Sequence, residues 1–254
     1  MDFYSFAPIA AVLDGAYTVV TTIATWLAPL AGGASSALAI VLITLLVRAA
    51  LIPVGRSQVR AEFTRLRLAP KLQALQKRFK KNPELLQKKT MELYAKEKAS
   101  PMAGCLPTLA QAPVLSTVYA LFIFGSIAGH PNLLLAEQLG GVPLGTSLVT
   151  LLGSGSAWPG VLVFGILLLI IGTTAWFSRL VAVRFSKANT VPNAVPAEGA
   201  AATMQSLSGP LSWLSFLTLI FATIVPLAAT IYLSVTTAWT LIERIILRRL
   251  LAPR

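Results

Sequence analysis

The sequence predicts an all-α membrane protein with five transmembrane helices, an N-terminal interfacial helix and a cytoplasmic two-helix hairpin. Three observations lead to this fold class. The 254 residues are 56% hydrophobic and only 12% charged, whereas about a quarter of the residues in a soluble domain are charged. The apolar residues form blocks as long as a membrane span, which needs about 20 of them. Basic segments alternate along the chain with segments that contain no Lys or Arg.

The apolar blocks define the spans. The five predicted spans are residues 36–55, 105–128, 159–178, 209–225 and 226–246. The first is interrupted only by Arg48, and the next two contain no charge. The block 211–242 is too long for one span, and Pro226 in its middle breaks the helical hydrogen-bond ladder. This block is therefore divided into two short spans at the proline.

Residues 7–30 are also apolar, but Asp14 and two prolines interrupt them. A sixth span is one interpretation of this segment. We favour a helix that lies in the membrane interface and ends at Trp26 and Pro29, because tryptophan prefers the headgroup level. Residues 1–35 would then form an extracytoplasmic N-terminus.

The orientation follows from the Lys and Arg residues of the short loops, which favour the cytoplasmic side. The segments 56–104 and 179–208 and the tail 247–254 are basic, whereas residues 1–35 and the loop 129–158 contain no Lys or Arg. Five spans place every basic segment in the cytoplasm. The N-terminus is then outside and the C-terminus inside.

The segment 56–104 carries thirteen Lys and Arg against four Glu, a net charge of +9. Its apolar residues recur at three- and four-residue steps, which is typical of amphipathic helices. Asn82, Pro83 and Glu84 suit the start of a second helix, and Pro70 is expected to kink or interrupt the first. The candidate residues for docking a partner or anionic lipid are Arg65, Arg67, Lys71, Lys77, Arg78, Lys80 and Lys81. The alternative is a solvated hairpin that binds nothing.

Arg48 is the candidate functional residue within the spans. A charge at the centre of a span costs about 2.5–3.5 kcal/mol on insertion scales, and the nearest acid in a span, Glu243, lies at the very end of the last one. An unpaired cation in a bundle interior implies water around it, and the alternative is that Arg48 snorkels to the inner headgroups. Its candidate polar neighbours are Gln111, Ser116, Tyr119, Thr230, Ser234 and Thr237. For any one of these hydroxyls, packing or bonding to the helix backbone is the alternative.

The sequence lacks the residues needed for a disulfide, a His-based zinc site or a nucleotide-binding loop. The single cysteine, Cys105, leaves no internal disulfide, and the single histidine, His130, has no partners for a His-based zinc site. The sequence has no Gly-x-x-x-x-Gly-Lys-Ser/Thr loop for a nucleotide phosphate. We therefore expect no metal, no cofactor and no enzymatic activity.

Three stretches of the sequence resemble the YidC family of membrane protein insertases. The stretch 46–53 resembles the first core span of that family, with its arginine and the proline that follows. The middle resemblance is carried by 91–94, 104–107 and 111–113, and the last by Pro226 with Ile231 and Tyr232. Ser100 and Leu233 depart from the usual Asn and aromatic residue of the family. The sequence most resembles the short bacterial form of the family, without a large extracytoplasmic domain, and the resemblance implies the plasma membrane of a bacterium.

The resemblance implies a hydrophilic groove, open to the cytoplasm and to lipid, with Arg48 at its centre. Hydrophobic segments of nascent membrane proteins would enter this groove and leave into the bilayer without nucleotide hydrolysis. The implied partners are these nascent proteins, the Sec translocon, the ribosome, the signal-recognition-particle receptor and anionic lipids, but not DNA. The alternative function is a small anion transporter or channel that uses Arg48, although the internal repeats common in transporters are missing.

Overall fold

The computed structural model describes residues 7–80, 82–100, 116–127, 129–155, 158–188 and 214–252. Within these ranges the chain is mostly helical. Three helical stretches there are long and apolar enough to cross a membrane: Ala10–Ala50, Trp158–Phe185 and Leu227–Leu251. The chain divides into two compact units. The first comprises Met1–Ala50, Gln111–Phe177 and Ser215–Leu241, and the second comprises Leu51–Ala110, Ser178–Leu214 and Ile242–Arg254.

In chain order the helices are α1 (Ala7–Ala31), α2 (Ser35–Ala50), α3 (Ile52–Phe79), α4 (Pro83–Lys96), α5 (116–123), α6 (Leu148–Gly153), α7 (Trp158–Ala188), α8 (Leu214–Ile224) and α9 (Leu227–Leu251). Two short antiparallel ladders pair β1 (Ser126–Ile127) with β2 (His130–Pro131) and β3 (Gln138–Leu139) with β4 (Val142–Pro143). These ladders lie in or beside the predicted outer loop, so the chain is not purely helical.

Helix α1 packs against α2 in the first unit. It buries Leu13, Val20 and Ala24, which recur at seven- and four-residue steps along one face. The helix continues through Pro29 and ends at Ala31, slightly beyond the predicted end. The reason is Gly32, whose φ of +51° lies in the left-handed region that glycine adopts without steric cost. Whether α1 lies in the interface or spans the membrane stays a prediction.

The predicted outer loop has a folded structure with its own buried side chains, among them Leu134 and Leu144. Its backbone also completes the start of α9. The Leu227 N–H donates to the Thr146 carbonyl and the Ala228 N–H to the Leu144 carbonyl, both at 2.9 Å. The first N–H groups of a helix have no partner within it, so the loop supplies the acceptors that α9 lacks.

The predicted helix break at Pro226 is confirmed, because α8 ends at Ile224 and α9 begins at Leu227. Two other helices are longer than the hydropathy suggests. Helix α7 continues to Ala188, beyond the predicted span end at residue 178, and α9 continues to Leu251, beyond residue 246. Charged residues end an apolar block but not a helix, since Arg is a good helix former and is favoured near a helix C-terminus.

In the second unit, α3 runs without interruption from Ile52 to Phe79. Of the two outcomes expected at Pro70, the interruption is therefore wrong, and the kink stays a prediction. The helix absorbs the loss of one backbone hydrogen bond at the proline. The predicted start of the next helix is confirmed. Asn82 caps α4, its side-chain oxygen accepting from the Leu85 N–H at 3.1 Å, and Pro83 occupies the first turn. Helices α3 and α4 pack against each other.

Candidate functional site

Arg48 lies in the last turn of α2 and is half-buried. The buried face of this helix includes Ala37, Ile40 and Thr44, at steps of three and four residues. Arg48 follows Thr44 by four residues, so it continues this buried face. The helix therefore directs its one charged residue toward the side that packs against protein.

The opposite face of α2 carries leucines at regular four-residue steps. Leu38, Leu42 and Leu46 are 46%, 41% and 54% exposed. Arg48 is two residues beyond Leu46, a rotation of about 200° around the helix axis. A side chain that snorkels along the lipid-facing side would be expected on the leucine face, and Arg48 is not on it.

Two features of the structure bear on the charge of Arg48. It lies within the last turn of α2, where the carbonyl ends of the helix carry a partial negative charge that favours a cation. Among the residues that the structure describes, Arg48 has no carboxylate partner. Within the described ranges, the helix terminus therefore favours the charge of Arg48, but no carboxylate neutralises it.

The predicted site residues of the last span lie along one side of α9, but their hydroxyl groups are occupied by backbone. Thr230 is fully buried and donates to the carbonyls of Ala222 at 3.0 Å and Pro226 at 3.2 Å. Ser234, only 3% exposed, donates to the Ile231 carbonyl at 2.8 Å. Thr230 thus stabilises the turn between α8 and α9, which the sequence had not indicated.

Thr237 is half-buried and donates to the carbonyls of Leu233 at 2.8 Å and Ser234 at 3.1 Å. The neighbouring Thr236 differs, because its hydroxyl is buried and has no hydrogen-bond partner within the described ranges. A buried hydroxyl without a partner is costly. Sequence reasoning chose Thr237 and missed Thr236, since two adjacent threonines on a helix look alike until their neighbours are known.

The residues predicted on the second span are only partly described. Ser116 is half-buried and Tyr119 is 41% exposed on α5, while Gln111 lies outside the described residues. Helix α5 contacts α9 through Phe122 and Tyr232, whose ring centroids are 6.2 Å apart. The structure therefore brings α5 and α9 together in the first unit, the unit that also contains Arg48. That these side chains line one groove stays a prediction.

Six of the seven predicted docking residues are described: five lie on α3, and Lys80 directly follows it. Lys71 forms a salt bridge with Glu97, and Arg67 lies 3.6 Å from the same carboxylate. The hydrogen bond from Lys71 lowers the pKa of the Glu97 carboxyl below its ordinary value. Arg78 lies 5.5 Å from the ring of Phe79. The remaining three described residues, Arg65, Lys77 and Lys80, are exposed, and Lys81 lies outside the described residues.

A second arginine, which sequence reasoning did not single out, is held firmly in the second unit. Arg248 donates two hydrogen bonds to Glu62, from Nη2 at 2.6 Å and from Nε at 3.2 Å. Its guanidinium carbon is 3.8 Å from the ring centroid of Phe185, and that ring meets Phe63 edge-on at 6.1 Å. Only 10% of the Arg248 side chain is exposed. The ion pair fastens the C-terminal part of α9 to α3.

Glycine permits a further close contact between the same two helices. A Cβ atom at Gly55 would overlap the carboxylate of Glu243. A larger residue at position 55 would therefore require the Glu243 side chain to move. Glu243, the acid that the sequence placed at the end of the last span, is thus packed against α3 backbone.

His130 is not merely solvated, as a lone loop histidine would be. Its Nε2 lies 2.9 Å from Asp14 Oδ1, and its ring centroid is 5.2 Å from that of Tyr17. The hydrogen bond with Asp14 raises the pKa of His130, with help from the Pro131 carbonyl, although partial burial opposes the shift. The contact joins α1 to the loop. The complementary charges were visible in the sequence, but their meeting depends on the tertiary fold.

Comparison with known proteins shows the family of the chain. The family model described as 60Kd inner membrane protein matches residues 26–253. The chain therefore belongs to this family, which is the YidC family that the sequence motifs resemble. The family and the long apolar helices indicate a bacterial inner-membrane protein.

Curated relatives match shorter stretches. A membrane protein insertase YidC of Clostridium perfringens is 41% identical over 90 residues, which are 35% of this chain and 38% of that protein. The inner membrane protein PPF-1, chloroplastic, of Pisum sativum is 42% identical over 81 residues, 32% of this chain and 18% of that protein. A YidC insertase of Burkholderia multivorans is 40% identical over 102 residues, 40% of this chain and 18% of that protein. The matches thus span less than half the length of each relative.

Proposed function

We propose that this chain is a membrane protein insertase. It receives hydrophobic segments of nascent membrane proteins in a hydrophilic groove within the membrane and releases them into the bilayer without nucleotide hydrolysis. Two of the relatives above are named membrane protein insertases. The structural observation that carries the proposal is the position of Arg48 on the buried face of α2, with no carboxylate partner among the described residues.

The physical argument starts from the cost of an unpaired cation. A guanidinium has five N–H donors and stays charged in proteins, so on the protein-facing side of a span it needs water or a transient anion. Water around Arg48 lowers the barrier for moving a polar terminus across the membrane. In a medium of reduced dielectric, Arg48 also attracts a carboxylate of the incoming segment more strongly than a cation in bulk water does. The partition of the apolar segment into lipid then supplies the driving force.

The proposed topology has five spans, with the N-terminus outside and the C-terminus in the cytoplasm. The three apolar helical stretches support part of this count, and we assign α5 and α8 to the two other spans. The contact between His130 and Asp14 supports the N-terminal half of the assignment, because it joins α1 to the loop that has no Lys or Arg. Helices α3 and α4 then form the cytoplasmic hairpin. The Sec translocon, the ribosome, the signal-recognition-particle receptor and anionic lipids are its proposed partners.

Thiol accessibility tests the groove directly. Cys105 is the only cysteine, so a Cys105→Ser background permits single reporters. In membrane vesicles whose cytoplasmic face is outward, an Arg48→Cys reporter should react with a water-soluble maleimide. Leu46→Cys, on the exposed leucine face of the same helix, is the matched control and should be protected by lipid. Equal protection of both cysteines would contradict a water-filled groove.

Complementation separates insertion from transport. In cells depleted of their own insertase, Arg48→Ala should impair the insertion of substrates with acidic outer termini, and Arg48→Lys should retain part of the activity. Normal insertion of every substrate by Arg48→Ala would contradict the proposal. A flux of small anions through vesicles that depends on Arg48, without an insertion defect, would instead establish the transporter alternative.

A further inference from the structure

The basic helix pair, α3 with α4, encloses a groove of ≈ 440 Å³. Its lining residues are Lys71, Ala74, Leu75, Arg78, Lys89, Glu92, Leu93 and Lys96. Four of these side chains are cationic and one is acidic, so the groove is electropositive. The two leucines are half-buried and form an apolar floor. A groove that combines a cationic rim with an apolar floor is suited to an amphipathic ligand, not to a purely ionic one.

The two helices contribute the same pattern to the groove. On α3 the lining positions are 71, 74, 75 and 78, and on α4 they are 89, 92, 93 and 96. Both sets have the spacing i, i+3, i+4, i+7 of a single helix face. Each face therefore places a cation, a small or acidic residue, a leucine and a second cation in order along the groove.

The direction of the helices decides how these cations are grouped. The Asn82 N–H donates to the Phe79 carbonyl at 2.9 Å where α3 gives way to α4, and the salt bridge of Lys71 with Glu97 marks the other end of the helix pair. The two faces consequently run antiparallel. Lys71 and Lys96 share one end of the groove, and Arg78 and Lys89 share the other. The leucines lie between these two cationic ends.

The separation of the two ends follows from helix geometry. Seven residues along a helix at 1.5 Å per residue give about 10 Å. Two acidic residues that are seven positions apart on a bound helix have the same spacing. A leucine three or four positions after the first acid would then lie over Leu75 and Leu93. The groove therefore matches a ligand helix that has the same spacing of charged and apolar residues as each lining face, with acidic residues in place of the cations.

We propose that this groove binds an acidic amphipathic helix of a partner protein, with carboxylates two helical turns apart and apolar residues between them. This is the helix-in-groove mode of recognition. A phosphate-rich ligand fits less well, because the apolar floor offers nothing to a nucleic-acid backbone. The proposal concerns a different site from the intramembrane groove and does not depend on the insertase function.

Two of the four cations are free to anchor such a helix. Lys71 is paired with Glu97, and Lys89 is paired with Glu92 at 2.7 Å. Arg78 and Lys96 have no carboxylate partner among the described residues. One of them lies at each end of the groove, so they are the residues to test. Both are exposed, so their replacement should leave the packing of the helix pair intact.

The test uses the full chain in nanodiscs of phosphatidylcholine, which carries no net charge. The probe is a fluorescein-labelled helical peptide with two Glu seven residues apart and Leu three and four residues after the first. Fluorescence anisotropy should show binding that weakens on the order of ten-fold in Arg78→Ala with Lys96→Ala. The matched control is Lys77→Ala with Lys88→Ala, which removes the same charge from the same helices but outside the groove. It should retain near-normal affinity, and circular dichroism should show equal helicity in all proteins.

Charge reversal gives a second measurement. A protein with Arg78→Glu and Lys96→Glu should reject the Glu peptide and bind its Lys counterpart. Three results would overturn the proposal: equal weakening by the groove and control variants, equal binding of a peptide whose acids are only four residues apart, or stronger binding of transfer RNA or phosphatidylglycerol vesicles through the same two residues. Each of them would mean that the helix pair acts as a general anionic-surface binder.

Discussion

Arg48 and Arg248 lie near the C-terminal ends of two apolar helices, one in each unit of the molecule, but their surroundings differ. Arg248 in the second unit is enclosed: Glu62 accepts two of its hydrogen bonds, and Phe185 covers its guanidinium group. Arg48 in the first unit is half-buried and has no carboxylate partner within the described ranges. The ion pair holds two helices together, although Nη1 of Arg248 is buried without a hydrogen-bond partner among the described residues. The proposed role of Arg48, to meet a transient anion, requires a guanidinium that no carboxylate of the protein already neutralises.

The largest expected effect on stability is at Arg248. Replacing Arg248 with Ala should destabilise the protein by about 2–4 kcal/mol, because the partly buried Glu62 carboxylate loses its partner. Glu62→Ala should cost a similar amount, and the double variant should cost less than the sum. Thermal unfolding in detergent micelles measures all three. Arg67→Ala is the control, since the pair of Arg67 with Glu97 is exposed and worth at most about 1 kcal/mol. Equal stability of the Arg248 and Arg67 variants would remove the structural role of the pair.

Arg48→Ala should impair function and leave stability nearly unchanged. The variant loses an unpaired charge, so the stability should change by less than about 1 kcal/mol or even improve. Insertion of substrates with acidic outer termini should fall about ten-fold, which corresponds to the loss of one charged hydrogen bond. Thermal unfolding and a pulse-labelled insertion assay on the same preparation distinguish the two effects. A strongly destabilised Arg48→Ala protein would show that the two arginines are alike after all.

Two hydroxyl groups of α9 also differ in whether they have a hydrogen-bond partner among the described residues. Thr230→Val removes the hydrogen bonds to Ala222 and Pro226 and should destabilise the protein by about 1 kcal/mol. Thr236→Val removes a buried hydroxyl that has no partner in the described part of the chain, so it should be neutral or slightly stabilising. Unfolding measurements in micelles compare the two isosteric changes. A clear loss of stability in Thr236→Val would mean that this hydroxyl is hydrated, and it would then join the candidates for the wet groove.

The smallest expected effect is the pH dependence at His130. Asp14 raises the pKa of His130 by accepting its hydrogen bond, so the charged pair contributes stability below the ordinary histidine pKa of about 6.5. That contribution is lost as the pH rises through the raised value. NMR titration of the histidine ring should show the raised pKa and its return to normal in Asp14→Asn. An unchanged titration in that variant would mean that the pair does not form.

Several parts of the fold could be read from local chemistry. Asn82 and Pro83 start α4 because a capping side chain and a fixed φ act within a few residues, and Pro226 ends a helix for a similarly local reason. The interruption considered at Pro70 did not occur, because a long helix can outweigh the loss of one hydrogen bond. The helix ends beyond residues 178 and 246 were missed, since hydropathy reports where the solvent changes and not where a helix stops.

The sequence by itself determined the membrane class, the family motifs and Arg48 as the unusual charge, because composition, spacing and charge are properties of the chain alone. Only the tertiary structure decided which arginine is paired. Glu62 and Arg248 are 186 positions apart, and His130 is 116 positions from Asp14, so no local pattern links them. It also placed Arg48 on the buried face of α2 and brought the cations of α3 and α4 together around one groove. Each of these features arises from the packing of residues distant in sequence, which hydropathy and spacing do not encode.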